Sequence, residues 1–374
     1  MKNNTKYMVY IGTYTGAGSE GIYGFHMDKE TGQIDSLGLM AKAENPSYLA
    51  LSKNQNYLYA VYETNQYNQE IGGAVGSYKL NSQTGSLQFL NEQRVLGKAP
   101  CHLCLDNENH HLFTANYNDG SVSVFELNED GSLDEMTDFI CHEGQGPDKE
   151  RQERAHAHFV SLIPDKKHLY VADLGMDQIK VYDFNEVKGK LYENLEKTIK
   201  IEPGSGPRHI AFHPSGRFFY LINELSSSIV TFSLEQDKDK NEIACNGNQS
   251  VIKDNRLLQT VSTIPDNFHE FNNCSAVKIT PDGRFLFGAN RGHDSIAAYE
   301  IDYNTGKLAL ISHTFTDGKC PRDIEIDPQG KWLLAANQES DNITAFQIKR
   351  DSGELELIGS VISISKPVCI KIIE

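Results

Sequence analysis

An internal repeat is the feature of this sequence that most limits its fold. Six segments share one plan: a first strand, a turn of the Pro-Asp-Gly kind and a second strand that ends in polar residues. The copies begin near residues 46, 100, 156, 207, 274 and 321, so successive copies lie 47 to 67 residues apart. Each interval is long enough for four antiparallel strands, and proline and glycine supply the φ angles that such turns need. The repeat therefore predicts a series of four-stranded β units.

The two ends of the chain complete a seventh unit. Residues 7–13 repeat a second strand with no first strand before it, and residues 366–371 repeat a first strand with no second strand after it. Pairing the two segments would close a ring and remove the exposed sheet edges of an open array. We predict an all-β, seven-bladed β-propeller of four-stranded antiparallel blades, a single domain over residues 1–374, closed by pairing of the C-terminal strand with the N-terminal blade. An open β-solenoid is the alternative, and the complementary half-units argue against it.

Charge and composition limit the kinds of molecule that the protein is expected to bind and the compartment in which it is expected to lie. The chain has 35 Lys and Arg against 51 Asp and Glu, which gives a formal net charge of −16. Such a surface repels phosphate backbones and anionic lipids, so neither a nucleic acid nor a membrane is an expected partner. No apolar stretch approaches the ~18 residues of a membrane helix, and the first residues lack the pattern of a secretory signal, so we expect a cytoplasmic protein. Seven cysteines, an odd number, fit reduced thiols better than a disulfide framework.

The repeat also predicts which side chains gather at one opening of the ring. Because the first two strands of a unit are antiparallel, the start of one and the end of the other lie at the same rim. The first strands bring His102, His156, His158, Arg208, His209, Ser275 and Arg322 to that rim. The second strands bring Glu63, Asn116, Asp173, Glu224, Arg291 and Gln338. So many histidines and arginines in an acidic protein predict an anion site, unless these side chains only cap strand ends and pair with one another.

Two segments are longer than the loops that the four-stranded repeat requires. Residues 141–154 are charged and glycine-rich and include Arg151 and Gln152, whereas residues 236–269 include the charged run 237–241. Long insertions in compact folds often form lids or binding loops. We expect Arg151 and Gln152 to close over an anionic substrate, while the second segment is equally compatible with a passive surface loop.

Several motifs together resemble a known family. They are residues 10–15, 45–49, 144–152, 155–158, 206–209, 223–224 and 289–291, which together extend over nearly the whole chain. They resemble the lactonase family of seven-bladed β-propellers, which includes propeller-type 6-phosphogluconolactonases and fungal carboxymuconate-lactonizing enzymes. Arg154 is a departure, because the family often has a small residue or proline before the His-x-His motif.

The resemblance implies an active site made of His158, Arg208, Glu224 and Arg291. Opening a δ-lactone with water needs a base, charge stabilisation for the oxyanion and a proton for the leaving alkoxide. Glu224 or His158 is expected to take the water proton, and the other to help protonate the ring oxygen. Arg208 and Arg291 are expected to bind the oxyanion or a phosphate. The other expected substrate-binding residues are His102, Arg151, Gln152, His156, Asp173 and His209.

The expected substrate is a small anionic lactone, above all 6-phosphoglucono-δ-lactone of the pentose phosphate pathway. The alternatives are a cycloisomerase acting on a carboxymuconate-type lactone and a non-catalytic propeller that binds a protein. No cofactor or metal is expected, because the opening has few carboxylates among many bases and lacks the carboxylate-rich cage of calcium-dependent gluconolactonases. A serine nucleophile is disfavoured by the absence of a Gly-x-Ser-x-Gly motif.

Overall fold

The computed structural model describes residues 5–234 and 257–374, and the predicted charged run 237–241 lies outside them. Every regular element in the described residues is a β-strand, and none of them forms a helix that could cross a membrane. The first three blades in chain order contain β1 (Lys6–Thr13), β2 (Gly21–Asp28), β3 (Ile34–Lys42), β4 (Leu49–Leu51), β5 (Tyr57–Tyr62), β6 (Gln66–Tyr67), β7 (Glu70–Ile71), β8 (Ala74–Leu80), β9 (Leu87–Arg94), β10 (Pro100–Leu105), β11 (His111–Asn116), β12 (Ser121–Leu127) and β13 (Leu133–Cys141).

In the next two blades the strands follow one another in chain order from the channel outwards. In the fourth blade the outer edge is made of two short strands that both pair with the third strand. The strands are β14 (Ala157–Leu162), β15 (His168–Asp173), β16 (Gln178–Asn185), β17 (Lys190–Glu193), β18 (Ile199–Lys200), β19 (Pro207–Phe212), β20 (Phe218–Asn223), β21 (Ser228–Ser233) and β22 (Leu257–Ser262).

The last two blades and the closing strand complete the ring. They contain β23 (Asn273–Ile279), β24 (Phe285–Arg291), β25 (Ser295–Ile301), β26 (Leu308–Phe315), β27 (Pro321–Ile326), β28 (Trp332–Asn337), β29 (Asn342–Ile348), β30 (Leu355–Ser363) and β31 (Pro367–Ile373). The C-terminal strand β31 pairs antiparallel with β1, from Met8 opposite Ile373 to Thr13 opposite Pro367. The predicted seven-bladed propeller and its closure are confirmed.

The core lies between the blades. Seven apolar clusters fill the spaces between neighbouring sheets. In one of them the rings of Phe219 and Phe232 stack with centroids 4.8 Å apart and pack against Phe159 and Ile179 of the preceding blade. Because both faces of a blade are covered, the central strands are buried along their length; all six residues of β20 are buried and five of them are apolar or aromatic. This is why the sequence lacks the polar–apolar alternation of a half-exposed strand.

A β-bulge at the start of the inner strands shapes the channel mouth. In β10, β14, β19, β27 and β31 the register shifts by one residue just after the first paired residue. A bulge changes the direction in which the next side chains point. Consecutive residues therefore face one cavity, as Arg208 with His209 and Arg322 with Asp323 do.

Removing residues 367–374 is expected to abolish cooperative folding. The deletion uncovers the edge of β1 and removes Val368, Cys369 and Ile370, which are at most 3% exposed. Thermal unfolding followed by circular dichroism measures the effect. The matched control is deletion of Glu374 alone, an exposed residue outside β31, and it should leave the melting temperature unchanged. An unaltered transition in the longer deletion would contradict the role given to ring closure.

Candidate active site

The centre of the site is the carboxylate of Glu224, which contacts three arginines. Its Oε2 accepts a hydrogen bond from Nε of Arg208 at 2.9 Å and lies 2.8 Å from Nη2 of Arg291. Its Oε1 accepts a hydrogen bond from Nη2 of Arg151. These side chains come from β19, β24 and the loop after β13, so only the folded ring brings them together. One carboxylate facing three guanidinium groups leaves an excess of positive charge at the mouth.

Burial and these charges determine the protonation of the cluster. The side chains of Glu224 and Arg208 are only 4% and 3% exposed. Burial by itself raises the pKa of a carboxyl group, but Arg291 and Arg208 outweigh it and hold the pKa of Glu224 well below its usual value. Burial and the charge of Arg291 lower the pKa of Arg208 to about 10, which keeps it charged at neutral pH. Glu224 is therefore an ionised carboxylate of low basicity.

Three histidines stand next to this cluster in the channel. The ring centroids of His158 and His209 lie 5.3 Å apart, and those of His209 and His102 are also 5.3 Å apart. All three are less than 9% exposed. Burial and the positive charge of Arg208 lower the pKa of both His158 and His209 well below the usual value, and burial with Lys371 does the same for His102. All three are neutral imidazoles near pH 7.

One of these imidazoles, His158, can offer an acceptor nitrogen to water. A neutral imidazole has one acceptor nitrogen. In His209 the Nε2 lies 3.4 Å from Nη1 of Arg208, and in His102 the Nδ1 accepts from the backbone N–H of Val160 at 3.4 Å. In His158 the Nδ1 lies 3.8 Å from Sγ of Cys101, a contact in which the ring can donate to the sulfur. That tautomer leaves Nε2 as an acceptor, for which no partner is found among the described residues.

A narrow cavity at the channel mouth contacts part of this cluster, namely His158, His209 and Arg208, whereas Glu224, Arg151 and Arg291 do not line it. Its lining consists of Ser47, Tyr48, Glu63, Cys101, His158, Arg208, His209, Arg322, Asp323 and Val368. The neutral imidazole of His158 thus lies on one side of the cavity, and the guanidinium groups of Arg208 and Arg322 lie on two other sides. Such an arrangement can bind an anion, activate a water molecule and stabilise an oxyanion.

The long loop between β13 and β14 brings Arg151 to the cluster and Gln152 to the loop interior. Arg151 also donates to Oη of Tyr117 at 3.3 Å. Gln152 has no exposed surface; its Nε2 donates to the carbonyl of Leu174 at 2.8 Å and its Oε1 accepts from the backbone N–H of Asp148. Gln152 therefore stabilises the loop that carries Arg151 and does not reach the cavity.

Asp173 and His156 also lie away from the cavity. Asp173 is fully buried; its Oδ2 lies 2.6 Å from Nδ1 of His142, and its Oδ1 accepts from the backbone N–H of His156 at 2.8 Å. The ring of His156 stacks on Tyr117 at 4.5 Å, and its Nδ1 lies 2.8 Å from the Tyr117 carbonyl oxygen. The polar atoms of both residues are thus occupied in ordering the wall behind Tyr117, and their contact with substrate stays a prediction.

Sequence comparison of the blades missed Tyr117 because it placed some second-strand ends one residue too early, and it missed Tyr14 because the end of the N-terminal half-unit was not included. Cross-strand pairing makes Asn116, Asn223 and Asn290 equivalent, each opposite the first residue of a third strand. The next position is the one that supplies Glu224 and Arg291. In the seven blades it is occupied by Tyr14, Glu63, Tyr117, Leu174, Glu224, Arg291 and Gln338. The recurring asparagine was the available sequence marker for this register.

Metal ligands are not grouped in the described part of the chain. Within residues 5–234 and 257–374, no three His, Cys, Asp or Glu side chains are arranged to hold a metal ion. The six cysteines of these ranges are free thiols. Metal independence of the reaction stays a prediction.

Comparison with known proteins gives the family. The family model "Lactonase, 7-bladed beta-propeller" matches residues 8–372. The chain is 39% identical to a 6-phosphogluconolactonase of Bacillus subtilis, over 99% of both chains, and 33% identical to one of Formosa agariphila, over 84% of this chain and 85% of that one. The structure of a periplasmic gluconolactonase of Pseudomonas aeruginosa matches 99% of both chains at 30% identity with a TM-score of 0.88. The chain therefore belongs to the seven-bladed β-propeller lactonases and is a lactone-hydrolysing enzyme.

Proposed function

We propose that this enzyme hydrolyses 6-phosphoglucono-δ-lactone to 6-phosphogluconate at the described channel mouth, as a step of the pentose phosphate pathway. The observation that carries the proposal is the Glu224 carboxylate surrounded by Arg151, Arg208 and Arg291 beside the neutral His158. Excess guanidinium charge in an acidic protein attracts an anionic lactone specifically to this opening. The names of the B. subtilis and F. agariphila relatives support the phosphorylated substrate.

In the proposed mechanism His158 is the general base. Its Nε2 takes a proton from a water molecule whose oxygen attacks the lactone carbonyl carbon. Arg208 and Arg291 stabilise the oxyanion of the tetrahedral intermediate. The intermediate then collapses, the bond between the carbonyl carbon and the ring oxygen breaks, and His158 returns the proton to that oxygen. The products are a carboxylic acid, which ionises, and a free hydroxyl group.

Glu224 acts in this mechanism by positioning the arginines. The sequence left either Glu224 or His158 as the base. The Glu224 oxygens accept hydrogen bonds from Arg151 and Arg208 and form an ion pair with Arg291, which makes this carboxylate a poor proton acceptor for water. A neutral imidazole with a free acceptor nitrogen suits this step better.

A cytoplasmic location follows from the proposed substrate. A phosphorylated sugar lactone is charged and does not cross a lipid bilayer unaided, so its hydrolysis takes place where it is formed. The P. aeruginosa relative is by its name periplasmic and a gluconolactonase, and unphosphorylated glucono-δ-lactone is therefore included in the assay below.

The proposal is tested by following freshly generated 6-phosphoglucono-δ-lactone with and without enzyme. We expect the enzyme to consume it much faster than the spontaneous reaction, and faster at low concentration than it consumes glucono-δ-lactone. The spontaneous rate, measured in the same buffer, is subtracted throughout. A rate no greater than the spontaneous one would reject this substrate and direct attention to a carboxymuconate-type lactone.

Chelation is expected to leave the rate unchanged. In the mechanism above, His158 and the arginines supply both the base and the charge stabilisation, so no metal ion is required. The measurement compares turnover after prolonged dialysis against EDTA with turnover after added Ca²⁺, Mg²⁺ or Zn²⁺. Loss of activity on dialysis that one of these ions restores would contradict the metal-free mechanism.

A further inference from the structure

A second polar cluster, made of Tyr14, Glu63 and Arg322, occupies the wall of the mouth opposite His158. Arg322 and His158 hold the same bulged position in β27 and β14. The inner strands contact one another in the order β4, β10, β14, β19, β23, β27 and β31, and β31 contacts β4. β27 is therefore three blades from β14 in a ring of seven, which places the two residues on opposite sides of the cavity that both line.

The phenol of Tyr14 joins the other two members of this cluster. Its Oη lies 3.0 Å from both carboxylate oxygens of Glu63, to which it donates. The same oxygen accepts a hydrogen bond from Nη2 of Arg322 at 2.7 Å, and the guanidinium lies 5.2 Å from the centre of the Tyr14 ring. The hydroxyl thus fixes the direction of Arg322 and separates its charge from that of Glu63.

Arg322 differs from the other arginines of the mouth in its charge balance. Arg151, Arg208 and Arg291 each pair directly with Glu224. By contrast, no carboxylate of the described residues lies within 4.0 Å of the Arg322 guanidinium, whose hydrogen bond goes to the neutral phenol. A guanidinium has five N–H donors, and a largely desolvated charge without a direct counterion gains strongly from an incoming anion.

The chemistry of the substrate requires two separate anion-binding points. In 6-phosphoglucono-δ-lactone the phosphorus is joined to the carbonyl carbon through the ring oxygen, C5, C6 and the ester oxygen. One guanidinium cannot hold the phosphate and also stabilise the oxyanion. Arg208 lies in the blade next to His158 and suits the oxyanion, whereas Arg322 lies across the cavity.

We infer that Arg322, oriented by Tyr14, binds the phosphate of the lactone, and that Glu63 accepts hydrogen bonds from the sugar hydroxyls beside it. The inference rests on the proposed lactone hydrolysis at this mouth and assigns the specificity for a phosphorylated substrate to the wall that the catalytic residues do not use. Arg322 is a substrate-binding residue in this scheme and takes no part in proton transfer.

The test is the change Arg322→Gln, assayed with 6-phosphoglucono-δ-lactone and with glucono-δ-lactone. Loss of charge-assisted bonds to phosphate is expected to raise KM for the phosphorylated lactone by about 10- to 100-fold. Because the phosphate is remote from the reacting carbon, kcat should change by no more than about threefold, and kcat/KM for the unphosphorylated lactone should stay within about twofold. Tyr14→Phe removes only the hydroxyl and should raise the same KM by a smaller factor.

Two controls separate binding from folding and from chemistry. Arg284→Gln removes one positive charge from the turn between β23 and β24, at the other end of the channel, and should match the wild type with both lactones. Calorimetry of 6-phosphogluconate and gluconate binding needs no turnover; only the phosphorylated product should bind more weakly to Arg322→Gln. Circular dichroism checks that each variant is folded.

The outcomes distinguish this inference from the proposed function. Equal losses with both lactones, or no change with either, would overturn the role of Arg322. A wild type that accelerates neither lactone, yet binds 6-phosphogluconate in an Arg322-dependent manner, would support the phosphate site and reject the proposed reaction.

Discussion

Glu224→Gln is expected to lose both activity and stability. The substitution keeps the shape of the side chain but removes the negative charge that three buried or half-buried arginines share. Breaking a buried ion pair by removing one partner costs about 3–5 kcal/mol, because the remaining charges stay desolvated and repel one another. With Arg208 and Arg291 displaced, we expect kcat/KM for the lactone to fall by about 100-fold or more, as when an oxyanion-stabilising donor is lost. Urea denaturation and initial rates measure the two effects.

An added anion should partly reverse the loss of stability. Phosphate can occupy the position between the uncompensated arginines, so it should raise the melting temperature of Glu224→Gln more than that of the wild type. The matched control is Glu300→Gln, which removes one carboxylate from the exposed face of β25 and should change neither property. Wild-type stability together with wild-type turnover in Glu224→Gln would contradict the central place given to this carboxylate.

The pH dependence of the free energy of unfolding also reports on the ion pairs of Glu224. The pKa of Glu224 in the folded protein lies well below the 4.5 of an unperturbed glutamate. Its ion pairs therefore contribute fully to stability above pH 4.5 and are lost as the pH falls through the folded-state value. Glu224→Gln lacks this contribution, so the stability difference between variant and wild type should shrink towards acid pH.

His158→Asn is the second change with a large expected effect. Removal of a general base lowers turnover by about 10²- to 10⁴-fold. The His158 ring contacts Cys101 weakly, with Nδ1 3.8 Å from Sγ, and forms no ion pair among the described residues, so the fold should survive its replacement. In the wild type the pKa of His158 lies well below 6.5, which keeps the base neutral at pH 7. The enzymatic rate should thus be flat near neutrality and fall as acid protonates the ring.

The measurement for His158 is a pH–rate profile corrected for spontaneous hydrolysis. Wild-type enzyme should show an acidic limb, and the residual activity of His158→Asn should lack it. His209→Gln serves as comparison, because His209 is equally buried but its Nε2 contacts Arg208; its loss should be smaller. An acidic limb that persists unchanged in His158→Asn would assign the base to another group.

The architecture could be predicted from the sequence because it is encoded locally and repeatedly. The first strand, turn and second strand recur along the chain, with Pro-Ser-Gly, Pro-Asp-Gly and Pro-Gln-Gly turns in three of the blades. The two half-units at the ends complement one another, as the pairing of β1 with β31 confirms. The apolar strands that lacked alternation are explained by blades packed on both faces. The turns, the half-units and the apolar strands are all features of short segments, and short segments can be recognised in a single sequence.

The residue types of the candidate site could be predicted from the sequence, but their detailed positions could not. His158, Arg208, Glu224 and Arg291 do come together, whereas Asp173 and Gln152 are occupied in ordering the chain. A shift of one residue in the blade comparison hid Tyr117, because register decides which of two neighbouring side chains faces the mouth. Tyr14 was missed because the comparison did not include the end of the N-terminal half-unit. The protonation of Glu224 and His158 depends on burial and on charges from distant blades, which sequence spacing does not contain.

A crystal structure of the protein with bound 6-phosphogluconate tests the proposed site most directly. We expect the product in the mouth lined by His158, Arg208 and Arg322, with its carboxylate on the side of His158 and Arg208 and its phosphate on Arg322. Product bound at the other opening of the channel, or on the outer surface of a blade with this mouth empty, would contradict the proposed active site.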